Sequence, residues 1–184
     1  MSEIVVRQAR AEDRDAIRAM TLGAYAEYAT LLPQAWEGYR ANIVAALARP
    51  APARQVVATR AGAIVGAVLL YPSSPVPGRA GRAAVPEVRL LAVTPAARGQ
   101  GIGEALMRDC IEQARAGGHP ALTLHTTAFM QAALRLYGRL GFVRAPELDL
   151  EVAPGVVVTG HRLDFARAGQ SPYHTKPGAT KPGA

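Results

Sequence analysis

This sequence has very little cysteine, lysine or aromatic side chain: one Cys, two Lys and 5% aromatics. Each scarcity closes off a class of function. A single cysteine, Cys110, can neither form an internal disulfide nor assemble a cysteine-based metal site, so no metal is expected. Its place on the inner face of a helical run assigns it to the core as a small hydrophobe. The lysines, Lys176 and Lys181, stand near the C-terminus, so arginine carries nearly all of the formal charge of +7. Those arginines are scattered among alanines, with no basic cluster interleaved with aromatics. That pattern disfavours a nucleic-acid partner and leaves a general positive surface suited to a polyanionic small ligand. No apolar run approaches the roughly 18 residues of a membrane span. The first twenty residues hold Glu3, Arg7, Arg10, Glu12, Asp13, Arg14, Asp15 and Arg18, too many charges for a secretory leader. A cytoplasmic protein with no membrane partner is expected.

At 184 residues the chain suits one domain with a sizeable core. The expected limits are 1–166 for that domain and 167–184 for a disordered tail, whose "TKPGATKPGA" repeats a unit with nothing to bury. Alternation in "EIVVRQA" predicts a first strand. Acidic residues in "AEDRD" favour a helix start, with apolar spacing continuing from Glu12 to about Thr30. Pro33 opens a second helix that stops at Pro50. "RQVVATRAGAIVGAVLLY" reads as a hairpin turning at Ala61 and Gly62. Residues 72–86 carry so many Pro and Gly that a loop is predicted, with Arg79 and Arg82 upon it. "EVRLLAV" is a buried strand. After it, Ile102, Leu106, Cys110, Ile111 and Ala114 form a helical stripe ending at Gly117 and Gly118. "ALTLH" is a strand, residues 128–140 a helix, "GFVRA" a turn into a strand, and "GVVVTGHRLDF" closes the sheet. Strands first follow one another and later alternate with helices, which makes the class α+β with a mixed sheet.

The chemistry concentrates in "ARGQGIGEALM", where Gly99, Gly101 and Gly103 stand between a buried strand and a helix. Glycines there weaken the helix. A helix start presents unpaired N–H groups and a positive partial charge, and bare glycines let a phosphate approach them. The stretch therefore reads as a pyrophosphate seat. No Lys-Ser or Lys-Thr follows Gly103, which excludes a nucleotide P-loop. The spacing is G-x-G-x-G, and His125 rather than an acid ends the next strand, which argues against a dinucleotide fold.

Arg98, Gly101 and Gly103 satisfy the pattern [RQ]-x-x-G-x-[GA], and here the chain resembles the GNAT superfamily of N-acetyltransferases. "VRQARAEDRDAI" is similar to the opening strand and helix of that family, "EVRLLAVTPAARGQGIGEALM" to its core motif, and "ALRLYGRLGF" to its closing motif. The resemblance implies a mixed, mostly antiparallel sheet flanked by helices, with a splayed central strand pair. It implies acetyl-CoA as co-substrate. Leu91, Ala92 and Val93 would expose backbone groups to the pantetheine arm, while Arg98, Gly99, Gln100, Gly101, Ile102, Gly103 and Glu104 would hold the phosphates. There is one departure: Met130 stands seven residues before Tyr137, where members often carry Asn, and Thr126 or Thr127 is its conjectural substitute.

A protonated alkyl amine, of pKa roughly 10.4, needs a base before it can attack an acyl carbon. Glu87 matches the position of a catalytic glutamate in some members, acting directly or through water, with His125 a second candidate. The leaving thiolate needs a donor, and Tyr137 matches the family's general-acid tyrosine. Tyr25, Tyr28, Trp36 and Tyr39 concentrate the aromatics in the two N-terminal helices, either as packing or as an acceptor pocket. The expected partners are acetyl-CoA and an amine-bearing acceptor, with a homodimer left open. The competing reading is a non-catalytic CoA-binding sensor or interaction module.

Overall fold

A computed structural model of the chain describes residues 3–48, 53–73, 85–153 and 156–165. Most of the 72–86 loop, with Arg79 and Arg82, and the repeat tail lie outside the described residues. Eight strands and four helices make up the fold: β1 (Ile4–Gln8), α1 (Arg14–Tyr25), α2 (Trp36–Ala48), β2 (Arg54–Arg60), β3 (Ala63–Tyr71), β4 (Glu87–Val93), α3 (Ile102–Ala116), β5 (Ala121–Thr126), α4 (Gln131–Arg139), β6 (Val143–Arg144), β7 (Leu150–Ala153) and β8 (Val156–Asp164). The sheet runs β1-β2-β3-β4-β5-β8-β6, with β7 paired to β8. Every pairing is antiparallel except β4 with β5. This is the expected mixed, mostly antiparallel α+β architecture. Among the described residues no helix is long and apolar enough to cross a membrane.

The unbroken apolar runs of β2 and β3 follow from burial on both faces. Val56, Ala58, Val68 and Leu70 pack against Leu106, Met107 and Cys110 of α3. Val57, Ala67, Leu69 and Tyr71 point the other way, into Ile17 and Ala24 of α1 and Ile43 and Leu47 of α2. The two strands join through Ala61 and Gly62, both with positive φ (47° and 81°), the geometry of a primed two-residue hairpin turn.

β4 departs from a regular strand. Leu90 has φ +52°, and the register with β3 slips so that Leu69 faces Arg89 while Ala67 faces Ala92. A bulge of this kind bends the strand. On its other side β4 pairs with β5 only at Glu87–Thr123 and Val88–Leu124. Beyond these pairs the strands part, which is the expected splay.

Some expectations need adjusting: α2 begins at Trp36 rather than at Pro33, and α4 at Gln131 rather than at residue 128. α1 stops at Tyr25 and a 3-10 segment, Ala26–Thr30, continues to the predicted end. β7 was not foreseen: its exposed Glu151 and Val152 give no buried alternation, and its one sequence signal is Pro154–Gly155 between two β-branched stretches. Near the N-terminus the Asp13 carboxylate receives Arg7 Nη1 and Nη2 at 2.6 and 3.0 Å and the Arg10 amide at 2.7 Å. The Arg7 bonds first, then the Arg10 amide, hold its pKa down from 3.8 to about 2.

Two tests follow from these contacts. A Cβ at Gly160 would collide with the Leu148 Cβ and approach Ala145 O to 2.9 Å, whereas one at Gly23 on α1 meets nothing within 4 Å. Denaturant melts should show Gly160→Ala destabilised by about 1–3 kcal/mol and Gly23→Ala stabilised by about 0.5–1 kcal/mol. Because the folded pKa of Asp13 is lowered, its contribution is whole above roughly pH 4 and disappears as pH falls towards 2. The stability gap between wild type and Asp13→Asn should therefore shrink from pH 7 to pH 2; a gap constant with pH would show that the pair contributes nothing through ionisation.

Candidate active site

The parting of β4 from β5 opens a cleft of about 940 Å³ that reaches from the start of α3, past α4, to α1 and α2. One end is built from main chain. Gly99 and Gly101 have φ of +73° and +79°, and a side chain on either would point into open space. Gly101 caps α3 from the left-handed region and no side chain caps the helix. Consequently the six consecutive amides from Gly99 to Glu104 donate to no group among the described residues. So dense a run of free donors at a helix N-terminus, facing a cleft, is chemically suited to an anion.

The side chains of the same stretch turn elsewhere. Arg98 donates from Nε to Val93 O (3.3 Å), from Nη2 to Ala24 O (3.1 Å) and from Nη1 to Glu27 (2.7 Å). That last bond is the main reason Glu27 sits below the usual carboxylate range. Gln100 donates to Ala96 O and Glu104 pairs with Arg108. Ile102 is a core residue, 1% exposed. Gly103 meets a packing demand, since a Cβ there would lie 3.3 Å from Leu136 Cδ2 on α4. Arg135 and Arg139 of α4 also line the cleft; the glycine pattern gave no sign of them.

Along β4, Thr94 N–H donates to Val65 O on the β3 side. Backbone direction alternates along a strand, so Val93 and Leu91 turn their peptide groups to the cleft and Ala92 turns away. Leu91 O accepts from Tyr25 Oη at 3.3 Å and keeps a second lone pair.

At the waist of the cleft stand Glu87, His125 and Tyr137. Glu87 is 2% exposed, and its Oε1 lies 3.2 Å from His125 Nδ1. His125 Nε2 lies 2.7 Å from Leu148 O, and a carbonyl only accepts, so Nε2 carries a hydrogen. Nδ1 then faces Oε1 as a second acceptor, so a proton delivered to either group would lie between them, and the two residues form one proton-accepting unit. Tyr137 is buried on α4, its ring 6.0 Å from that of Phe142. Burial raises its pKa far above 10, with Tyr28 and Tyr39 adding to the rise, so the phenol keeps its proton.

At the far end are the rings of Tyr25, Tyr28, Tyr39 and Phe129, with Tyr28 and Phe129 5.4 Å apart. Trp36 backs Tyr39 at 6.2 Å. Phe129 precedes its helix and has no periodic signal. Thr126 Oγ1 donates to Met130 Sδ at 3.6 Å, while the buried Thr127 Oγ1 has no partner among the described residues. Cys110 is buried away from the cleft, and burial pushes its thiol up to about 12.

The acetyltransferase (GNAT) family model matches residues 15–142. A mycothiol acetyltransferase of Pseudarthrobacter chlorophenolicus is 34% identical over 152 residues, 81% of this chain and 44% of that protein. The chain spans less than half the length of the curated relatives it matches. Among solved structures, a histone acetyltransferase HPA2 and related acetyltransferase from Corynebacterium glutamicum is 25% identical with TM-score 0.69, covering 92% of this chain and all of its own. A GNAT family acetyltransferase from Brucella melitensis in complex with acetyl-CoA is 22% identical with TM-score 0.59, covering 90% of each chain, and shares the fold.

The anion seat is testable with inorganic pyrophosphate as probe. Millimolar pyrophosphate should raise the melting temperature of wild type and raise that of Gly101→Ala less, since alanine resists the left-handed conformation that aims these amides. Equal shifts in the two proteins would remove the seat from residues 99–104.

Proposed function

Since the chain belongs to the GNAT acetyltransferase family, as the match over residues 15–142 establishes, we propose that it transfers the acetyl group of acetyl-CoA to a primary amine by direct attack. The observation that carries this is the row of free amides from Gly99 to Glu104 opening onto the splay between β4 and β5. The residues fit the co-substrate. Amides 99–104 suit a pyrophosphate, Arg135 and Arg139 add positive charge beside it, and the cleft-facing peptide groups of Leu91 and Val93 suit an amide-bearing arm. Arg98 serves the seat by bracing it, because its charge is spent on Glu27.

Acetyl-CoA supplies an acyl group activated as a thioester. What remains is proton handling by this chain. With Nε2–H committed to Leu148 O, the Glu87 carboxylate takes the proton of the acceptor amine, directly or through a water, and His125 Nδ1 shares it. Tyr137 donates its proton to the departing sulfur; its raised pKa keeps it a donor throughout the working range. The amine gains the N–C bond, the C–S bond breaks, one proton reaches the Glu87–His125 unit and one reaches sulfur. The coupling of Glu87 to His125 merges two candidate bases into a single device. Thr126 engages Met130, and the unpartnered hydroxyl of Thr127 is the better placed to serve the cofactor arm in place of asparagine.

Thiol release measured with Tyr137→Phe and Glu87→Gln tests these roles. Each should lower kcat by about 10²–10⁴, while acetyl-CoA at about a hundred times its Kd still adds roughly 2.7 kcal/mol to stability. Wild-type turnover in Tyr137→Phe would overturn its role as acid. Acetyl-CoA binding with no thiol release across a broad amine panel would favour the non-catalytic binding module.

A further inference from the structure

The ring-lined end of the cleft contains one cation that no group among the described residues neutralises. Arg89 follows Glu87 by two residues on β4 and lines the same cleft. Strand alternation puts positions 87 and 89 on one face, about 7 Å apart. The Arg89 guanidinium is half-buried and lies over the Tyr71 ring, 5.9 Å from its centroid, which holds the charge in place without cancelling it. Of the other charged groups lining the cleft, Arg98 pairs with Glu27, Glu104 pairs with Arg108 and Glu87 faces His125, while Arg135 and Arg139 belong to α4 rather than to the ring-lined end. No ion pair of Arg89 exists among the described residues. All 14 Asp and Glu of the sequence fall within those residues, and none of them is paired with Arg89 there. Its charge also reaches the pocket rings, opposing the rise that burial imposes on the phenols of Tyr25 and Tyr39.

A partly desolvated guanidinium without a counter-ion is unfavourable by itself and is the residue type best shaped to grip a carboxylate with two parallel bonds. We propose that Arg89 receives a carboxylate of the acceptor, making the acceptor an amino-acid-like molecule whose amine meets the Glu87–His125 unit. The apolar remainder of such a molecule packs on Tyr28, Tyr39 and Phe129. The proposal rests on the acetyl-transfer reading and adds to it the class of acceptor. The carboxylate itself takes no part in bond making; the amine loses its proton to Glu87–His125 as before.

The test pairs each of a panel of L-amino acids with its own amide and its decarboxylated amine, measuring thiol release from acetyl-CoA by wild type, Arg89→Gln and Arg89→Lys. For wild type, kcat/KM on at least one acid should exceed that on its amide by about 10- to 100-fold. Arg89→Gln should bring this ratio close to one, mainly through KM, and Arg89→Lys should restore part of it. Acetyl-CoA should raise the melting temperature of all three proteins. Equal rates on acids and amides in wild type, or a ratio that survives Arg89→Gln, overturns the proposal and leaves acetyl transfer standing. Bound acetyl-CoA with no acid acetylated also overturns it, while leaving the cofactor site intact. No melting shift with acetyl-CoA overturns the proposal together with the function on which it rests.

Discussion

Leu90 holds a left-handed conformation in the middle of a strand, where a side chain with a Cβ costs roughly 1–2 kcal/mol. The bend it makes ends the pairing of β4 with β5 after two residue pairs. A continuous parallel ladder would have used the peptide groups of Leu91 and Val93 and filled the space between the strands. With the ladder broken, those groups face a cleft, α3 starts at its mouth, and α4 brings Tyr137 to its wall. The strain is held by burial on both sides, with Ala92 among the residues packed on α1 and α2 and Val88 among those packed on α3.

Within the cleft, main chain and side chains divide the work. The glycine end presents amides whose direction is set by two left-handed glycines, while the charged side chains of the same stretch pair with other protein groups. Such a seat depends little on pH, because amides do not titrate. The waist holds titratable groups set by burial and hydrogen bonds: a phenol kept protonated by desolvation and a carboxylate facing an imidazole oriented by Leu148 O. The aromatic end supplies apolar surface and the guanidinium of Arg89, which has no ion pair among the described residues. The roles proposed for binding, proton transfer and acceptor choice thus fall on three adjoining stretches of one cleft.

Reading outward from residue types succeeded where the signal is local. The hairpin at Ala61–Gly62, the stripe of α3 and the glycine turn all depend on neighbours within a few positions. Met107 escaped the stripe because α3 buries a wider face than its regular spacing suggested, with β2 and β3 covering it. Gly103 was grouped with Gly99 and Gly101 by sequence, yet its reason is the nearness of Leu136, a residue on another helix. Arg98 belongs to the motif by position, and its bond to Glu27 brings residues 71 apart in the chain together.

By itself the sequence determined that strands and helices would form an α+β sheet with a bare-backbone turn at the start of α3, because periodicity and glycine placement act over short range. Only the tertiary structure decided that Glu87 meets His125, that Tyr137 keeps its proton, and that Arg89 has no ion pair among the described residues. Those are properties of distance and dielectric between residues far apart in the chain, and they exist only once the sheet has brought β4, β5 and α4 together around the same cleft.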